Sequence, residues 1–205
     1  MKKIYILVII LMLFLGLLVP AQATLFNRGG GMIYDDDLDI TWLQDANYAG
    51  ILMTWDEAMT WTAGLDYNNY DDWRLPTTLQ PDPTCSNQDS DWGISWGLGC
   101  SGGELGHLYH TELLNPIGGP LVNTGPFTIL SITDWTGMDV IRGNPNDAWC
   151  FGFDIGGQGA CSKSSYGRAW AVRDGDVAPV PEPSTMFLLG SGLAGIVVLR
   201  RMFLP

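Results

Sequence analysis

The longest apolar runs of this chain lie at its two ends, each beside a pair of basic residues, and an acidic middle separates them. Lys2 and Lys3 precede the first run, and Arg200 and Arg201 follow the last. Residues 24–180 remain, which is enough for one domain with a packed core and too few for two. Because all nine tryptophans fall in this middle, we expect it to fold.

The charge of the middle excludes polyanionic partners. The chain has 10 Lys and Arg against 22 Asp and Glu, which gives a formal charge of −12. Four of the basic residues lie in the terminal segments with one acidic residue, so the middle carries a charge of −15. Nucleic acids and anionic polysaccharides are bound by clustered Lys and Arg, so we expect no nucleic-acid partner.

Residues 1–23 have the three parts of a secretory signal peptide. These are the basic pair, the apolar run Ile4–Val19 and the small-residue site Ala21-Gln22-Ala23. We expect signal peptidase to cleave after Ala23. An uncleaved membrane anchor is the alternative, which the position of the small-residue site disfavours.

The C-terminal end, residues 178–205, is also tripartite. A linker containing Pro181-Glu182-Pro183 leads into the apolar run Met186–Leu199, and Arg200-Arg201 follows. The run has 14 residues, fewer than the roughly 20 of a typical transmembrane helix. The two arginines would hold that end in the cytoplasm. We therefore expect a short helix that anchors the chain transiently in the inner membrane.

This end resembles the PEP-CTERM sorting signal of Gram-negative bacteria, in which Pro-Glu-Pro, a short transmembrane run and a basic cluster occur in the same order. The resemblance implies an exosortase-type sorting enzyme as partner and cleavage near Pro181–Pro183. It also implies export to the cell surface or the extracellular polymer matrix. An ordinary tail anchor is the alternative.

The first half of the middle predicts a hairpin and a helix. The β-prone runs Met32–Tyr34 and Ile40–Leu43 surround an acidic turn. Thr54 and Glu57 form a capping box that opens a helix, which ends at about Ala63 before Gly64. The predicted inward face of this helix consists of Trp55, Ala58, Met59 and Thr62.

The second half predicts a second helix and several strands. The helix runs from about Gly103 to Leu114, after a loop over Gln80–Gly103. Its stripe consists of Leu105, Leu108, Tyr109, Glu112 and Leu113. The predicted strands are Phe127–Leu130, Asp134–Thr136, Ala148–Phe153 and Arg168–Arg173. We expect a small, single α+β domain in which two short helices pack on a twisted, mostly antiparallel sheet with disulfide-pinned loops.

The four cysteines form an even set in a chain expected to be exported, which favours disulfides. Of the three possible pairings we favour the two local bonds, Cys85–Cys100 and Cys150–Cys161. Each closes a loop of about 10 to 20 residues and stabilises the fold by roughly 3 kcal/mol. A metal site is the alternative, but neither pair has C-x-x-C spacing.

Motifs along residues 31–176 occur in the order of a known family. They are Trp42–Ala49, Met53–Trp55, Tyr70–Thr77, Glu104–Tyr109, Asn123–Phe127 and Ala169–Asp176. The middle, residues 24–177, is therefore similar to the Lcl C-terminal-like domain, a domain of unknown function on exported bacterial proteins. The resemblance implies a compact α+β fold without assigned catalytic residues. Adhesin members imply binding to glycans or matrix. The chain departs from the family at Trp135–Met138, where other members carry a Trp-Ser-Gly-Thr-like strand.

Two patterns suggest metal ligands. Asp35, Asp37 and Asp39 lie at alternate positions of the acidic turn and could bind Ca²⁺, although the turn lacks the EF-hand glycine and glutamate. A solvated turn is the alternative. His107 and His110 lie one helical turn apart, with Glu104 one turn before His107. No third ligand of matching spacing is evident, so polar helix positions are the alternative for this set.

The tryptophans divide into two groups. Six lie in periodic or strand contexts and are predicted to be core: Trp42, Trp55, Trp73, Trp135, Trp149 and Trp170. Trp92 and Trp96 lie among glycines inside the predicted Cys85–Cys100 loop, where they could bind a ligand or pack within the loop.

We therefore expect a non-catalytic exported protein of the cell surface or extracellular polymer matrix, without a cofactor except for the candidate Ca²⁺ site. The alternative is an adhesin-like module that binds carbohydrate or protein through the aromatic disulfide loop. A hydrolase is a third reading, which the lack of a G-x-S-x-G elbow at Ser101, Ser162, Ser164 and Ser165 disfavours.

Overall fold

The predicted hairpin lies at the centre of one of two antiparallel sheets in the computed structural model, which describes residues 25–129 and 132–177. The strands are β1 Leu25–Gly29, β2 Met32–Asp35, β3 Ile40–Leu43, β4 Asn87–Asp89, β5 Ile94–Leu98, β6 Thr133–Asp139, β7 Asp147–Gly152, β8 Gly157–Ser162 and β9 Val172–Asp174. The helices are α1, Trp55–Ala63, and α2, Glu104–His107, and α2 continues into one π-helical turn, Leu108–Glu112. The predicted α+β class with antiparallel sheets is confirmed.

The first sheet has the strand order β1-β2-β3-β9, so the last strand of the domain pairs with the hairpin. Ile33 pairs with Trp42 across the hairpin, and Trp42 pairs with Val172 of β9. All four residues of β3 are buried, because β9 covers its free edge and tryptophans pack on its faces. The Trp42 and Trp170 rings lie 4.9 Å apart between centroids.

The second sheet has the order β4-β5-β8-β7-β6. It differs from the prediction in two places. The expected loop over Gln80–Gly103 contains the β4–β5 hairpin, and the glycine-rich segment 157–162 forms β8. These segments lack runs of β-branched residues, so they form strands because neighbouring strands pair with them. The prediction of a strand at Phe127–Leu130 is wrong for residues 127–129, which are the part of that range that the structure describes. Only a single bridge joins Thr128 to Asp45 there.

Helix α1 begins and ends as predicted. The backbone N–H and the hydroxyl of Thr54 both donate to Glu57 Oε2 at 2.8 Å, and Gly64 follows the last turn. Its inward face is narrower than predicted, because Met59 is 36% exposed while the other three predicted residues are buried. Trp61 instead contacts both hydrophobic clusters of the core.

All six tryptophans predicted to be core are buried. Five of their six indole N–H groups have an acceptor: Trp55, for example, donates to the carbonyl of Thr136 at 2.7 Å, and Trp170 to that of Leu43 at 2.7 Å. Buried indoles need such acceptors. Both predicted disulfides are present, Cys85–Cys100 and Cys150–Cys161, and the second joins β7 to β8.

Among the described residues, no helix has the length and apolar character needed to cross a bilayer. The predicted signal peptide, residues 1–23, and the predicted anchor, Met186–Leu199, lie outside the described ranges.

Candidate functional site

A cavity of about 390 Å³ opens beside the turn that joins β4 to β5. Its wall includes Trp92, Ile94, Met138, Ile141, Arg142 and Trp149. The segment between β6 and β7 supplies the opposite side. A volume of this size is within the range of small-ligand sites.

Trp92 is held over this cavity by a tight turn. Asp89 Oδ1 accepts hydrogen bonds from the backbone N–H groups of Asp91 at 3.0 Å and Trp92 at 3.1 Å. Gly93 has a φ of +62°, which glycine adopts without steric strain. The indole remains 51% exposed. The turn therefore presents a flat aromatic face to solvent at the cavity.

Trp96 occupies a different place. It lies within β5 opposite Asn87, is 39% exposed, and does not line the cavity. Of the two aromatic residues predicted for binding, the structure brings Trp92 alone to this cavity.

A side-chain bridge fixes the wall next to Trp92. Gln80 Nε2 donates to the carbonyl of Ser95 at 2.9 Å, and the Ser95 N–H donates to Gln80 Oε1 at 2.8 Å. The Cys85–Cys100 disulfide closes the same segment. The site is therefore largely formed before any ligand arrives.

The residues on the far side of the cavity were not among those predicted to bind a ligand. Trp149 is 3% exposed and was correctly predicted to be core, but it also forms part of the cavity wall. Ile141 is 87% exposed. An apolar residue directly before the turn-prone run Arg142-Gly143-Asn144-Pro145 was the available signal for this exposure.

Arg142 differs from the other basic residues of the described ranges. Five of them make ion pairs with carboxylates: Arg28, Arg74, Lys163, Arg168 and Arg173. Arg142 instead donates from Nη1 to the backbone carbonyl of Trp92 at 3.2 Å. Within residues 25–129 and 132–177, its guanidinium is the basic group that no carboxylate neutralises.

The acidic turn does not gather its three predicted ligands. Asp35 is fully buried and accepts hydrogen bonds from Trp42 Nε1 at 3.3 Å and from the Leu38 N–H at 3.2 Å. Asp39 accepts the Tyr34 hydroxyl at 2.9 Å. Asp37 faces His107, with 3.6 Å between Oδ2 and Nε2.

The second candidate ligand set is also divided. Glu104 binds the Arg74 guanidinium through both carboxylate oxygens, at 2.8 and 2.9 Å. His110 Nε2 lies 3.0 Å from the carbonyl of Gly156, and burial lowers its pKa. His107 instead lies next to Asp35 and Glu112. One potential ligand atom from each of these three residues lies within 4.8 Å of the other two.

Two family models match the chain. The Lcl C-terminal domain matches residues 31–173, and the PEP-CTERM protein-sorting motif matches residues 179–201. No curated protein and no solved structure matches. Neither matching family is catalytic, and the sorting motif marks an exported protein handled by an exosortase-type system. Both resemblances noted in the sequence are confirmed, and because the first match covers more than half of the chain, the protein belongs to the Lcl C-terminal domain family.

Proposed function

We propose that this protein is a non-catalytic component of the cell surface or extracellular polymer matrix that binds saccharide at the Trp92 cavity. The observation that carries the proposal is the pairing of an exposed indole with an un-neutralised guanidinium, Arg142, at the mouth of one cavity. Export by the sorting system would place this cavity where polysaccharide is abundant.

The chemistry of the cavity suits a sugar ring. The half-exposed face of Trp92 offers an apolar surface on which the C–H face of a sugar can stack. Arg142 has further N–H donors beyond the one bonded to Trp92. Asp139, also at the cavity, pairs with Lys163 through Oδ1, and its Oδ2 supplies a carboxylate acceptor. Sugar hydroxyls both donate and accept, so a site with both kinds of group can satisfy them.

The rigidity of the wall also favours binding. The Gln80–Ser95 bridge and the Cys85–Cys100 bond hold Trp92 on a closed hairpin. A preformed site loses little conformational entropy when a ligand binds. The charge of −15 over residues 24–180 repels highly sulfated chains, so we expect neutral or weakly acidic saccharides as ligands.

The experiment is a glycan array probed with the full-length protein in detergent, followed by titration of the best glycan. Trp92→Ala should weaken binding at least about tenfold, as expected for a central aromatic contact. Trp96→Ala is the matched control, since Trp96 is an exposed tryptophan of the same hairpin outside the cavity. Unchanged binding by Trp92→Ala, or an equal loss in the control, would reject the proposal. A wild type that binds only protein partners would favour the protein-binding alternative.

A further inference from the structure

Two segments far apart in the chain contribute polar side chains to one spot beneath the β2–β3 turn. Asp35 ends β2, His107 ends α2, and Glu112 ends the π-helical turn. Their ligand atoms lie within 4.8 Å of one another. Asp37 lies at the rim, 3.6 Å from His107 Nε2, with its side chain 42% exposed.

The π turn is what aligns His107 with Glu112. In an α-helix, residues five apart point about 140° away from each other. Here the Leu113 N–H bonds to the carbonyl of Leu108, five residues earlier, at 2.9 Å. This wider turn brings His107 Nε2 to 3.3 Å from Glu112 Oε1. Single π turns in helices occur frequently at functional sites.

Two of the atoms that meet lack a hydrogen bond within the described residues. His107 Nε2 and Glu112 Oε1 face each other as an ion pair at 3.3 Å, but both are buried and neither has a hydrogen-bond partner among residues 25–129 and 132–177. The Glu112 side chain is only 2% exposed, so water does not solvate its carboxylate. An unpartnered buried carboxylate oxygen is strongly unfavourable unless something else occupies the space in front of it.

We propose that Asp35, His107 and Glu112 form a binding site for a divalent transition-metal ion, with zinc as the best fit. The 3.3 Å between Nε2 and Oε1 matches the edge of a tetrahedron with metal–ligand bonds of about 2.0–2.1 Å. The end of α2 and the π turn after it therefore supply two ligands at the spacing that zinc requires, and Asp35 supplies the third from β2. A water molecule would complete the tetrahedron.

The donor set separates this site from a calcium site. Calcium takes six to eight oxygen ligands, whereas an imidazole nitrogen with carboxylates suits zinc and its neighbours in the first transition series. The charge balance points the same way, because the two carboxylates of Asp35 and Glu112 beside one imidazole match the charge of a dication.

The experiment uses the full-length protein in detergent, stripped of metal with a chelator. Zinc is titrated by calorimetry at neutral pH, and Co²⁺ is added separately as a spectroscopic probe. We expect one zinc per chain, a visible absorption spectrum typical of tetrahedral Co²⁺, and weaker or no binding of Ca²⁺. Absence of zinc binding, or a preference for Ca²⁺, would overturn the proposal, and His107 and Glu112 would then be an ion pair only.

Matched variants assign the ligands. Glu112→Gln keeps the side-chain shape and should weaken zinc binding at least about tenfold, since even the loss of an outer-shell partner typically has that effect. Asp39→Asn is the control, because Asp39 lies in the same acidic turn but bonds to Tyr34; it should bind zinc as the wild type does. If Glu112→Gln does not fold, His107→Gln takes its place. Wild-type affinity in a folded ligand variant contradicts the site.

Discussion

The guanidinium of Arg168 donates to both carboxylate oxygens of Asp134, at 2.6 and 2.5 Å, and neither side chain has any exposed surface. The backbone around the pair is joined as well: the Arg168 N–H bonds to the carbonyl of Thr133, and the Trp135 N–H to that of Arg168. The pair therefore ties β6 to the segment that leads into β9, and so connects the two sheets.

Removing one member of this pair should destabilise the fold strongly. Arg168→Met leaves the Asp134 carboxylate buried without a partner, which costs about 3–5 kcal/mol of unfolding free energy. The double variant Asp134→Leu/Arg168→Met should recover much of that loss, since no charge remains buried. Urea unfolding of the wild type, both single variants and the double variant measures this. A double variant as unstable as Arg168→Met alone would contradict it.

The single variant Arg168→Met should also change how the stability of the fold depends on pH. Burial raises the pKa of the Asp134 carboxyl from 3.8 to about 6, and Arg168 opposes the rise. Without Arg168 the folded-state pKa rises further, so the folded form favours the neutral acid. This group then stabilises the fold at low pH, and the stabilisation is lost as pH rises through its folded-state pKa. The unfolding free energy of Arg168→Met, relative to wild type, should therefore fall only above about pH 6, where the wild-type carboxyl has already ionised and the variant's has not.

Each disulfide should contribute measurably to stability. The bonds close loops with sequence separations of 15 and 11 residues, so removing either should cost about 3 kcal/mol through the entropy of the unfolded chain. Cys85→Ala/Cys100→Ala and Cys150→Ala/Cys161→Ala separate the two effects, and thermal unfolding with and without reductant is the measurement. A variant whose melting temperature equals that of the oxidised wild type would show that its bond adds nothing.

Gly106 should not tolerate a side chain. A Cβ at this position would lie 1.9 Å from the carbonyl oxygen of Cys100, and the next atoms it meets are also backbone, of Cys100 and Ser101, which cannot shift as easily as a side chain. We expect Gly106→Ala to lower stability by about 1–3 kcal/mol or more. Gly159→Ala in β8 is the matched control, because a Cβ there meets no atom within 4 Å. Equal melting temperatures for the two variants would refute the steric argument.

Sorting should depend on the C-terminal motif. Replacing Pro181, Glu182 and Pro183 with alanine should leave the full tail attached and the protein in the inner-membrane fraction. The wild type should reach the surface or matrix fraction without the tail. Mass spectrometry of both fractions, in cells with and without the exosortase-type enzyme, is the test. A surface protein that still ends at Pro205 would contradict both cleavage and sorting.

Much of the framework could be predicted because its signals are local. The capping box at Thr54 and Glu57 defined α1, and two β-prone runs around an acidic turn defined the β2–β3 hairpin. Short cysteine spacings indicated the disulfides. The predictions failed where burial or secondary structure depends on neighbouring elements. The fold leaves Met59 36% exposed although its side chain is apolar, and the glycine-rich β8 is a strand because β5 and β7 pair with it.

The sequence by itself determined the C-terminal sorting motif, the acidic charge of the middle and the tryptophan core, since each follows from composition or short-range pattern. Only the tertiary structure decided which residues form the candidate sites. Arg142 donates a hydrogen bond to Trp92, 50 residues earlier in the chain. Asp35 lies beside His107 and Glu112, which an irregular helical turn brings together. These contacts depend on the strand order of the sheets and on the change from α-helical to π-helical hydrogen bonds after His107. No local pattern of residues specifies either feature.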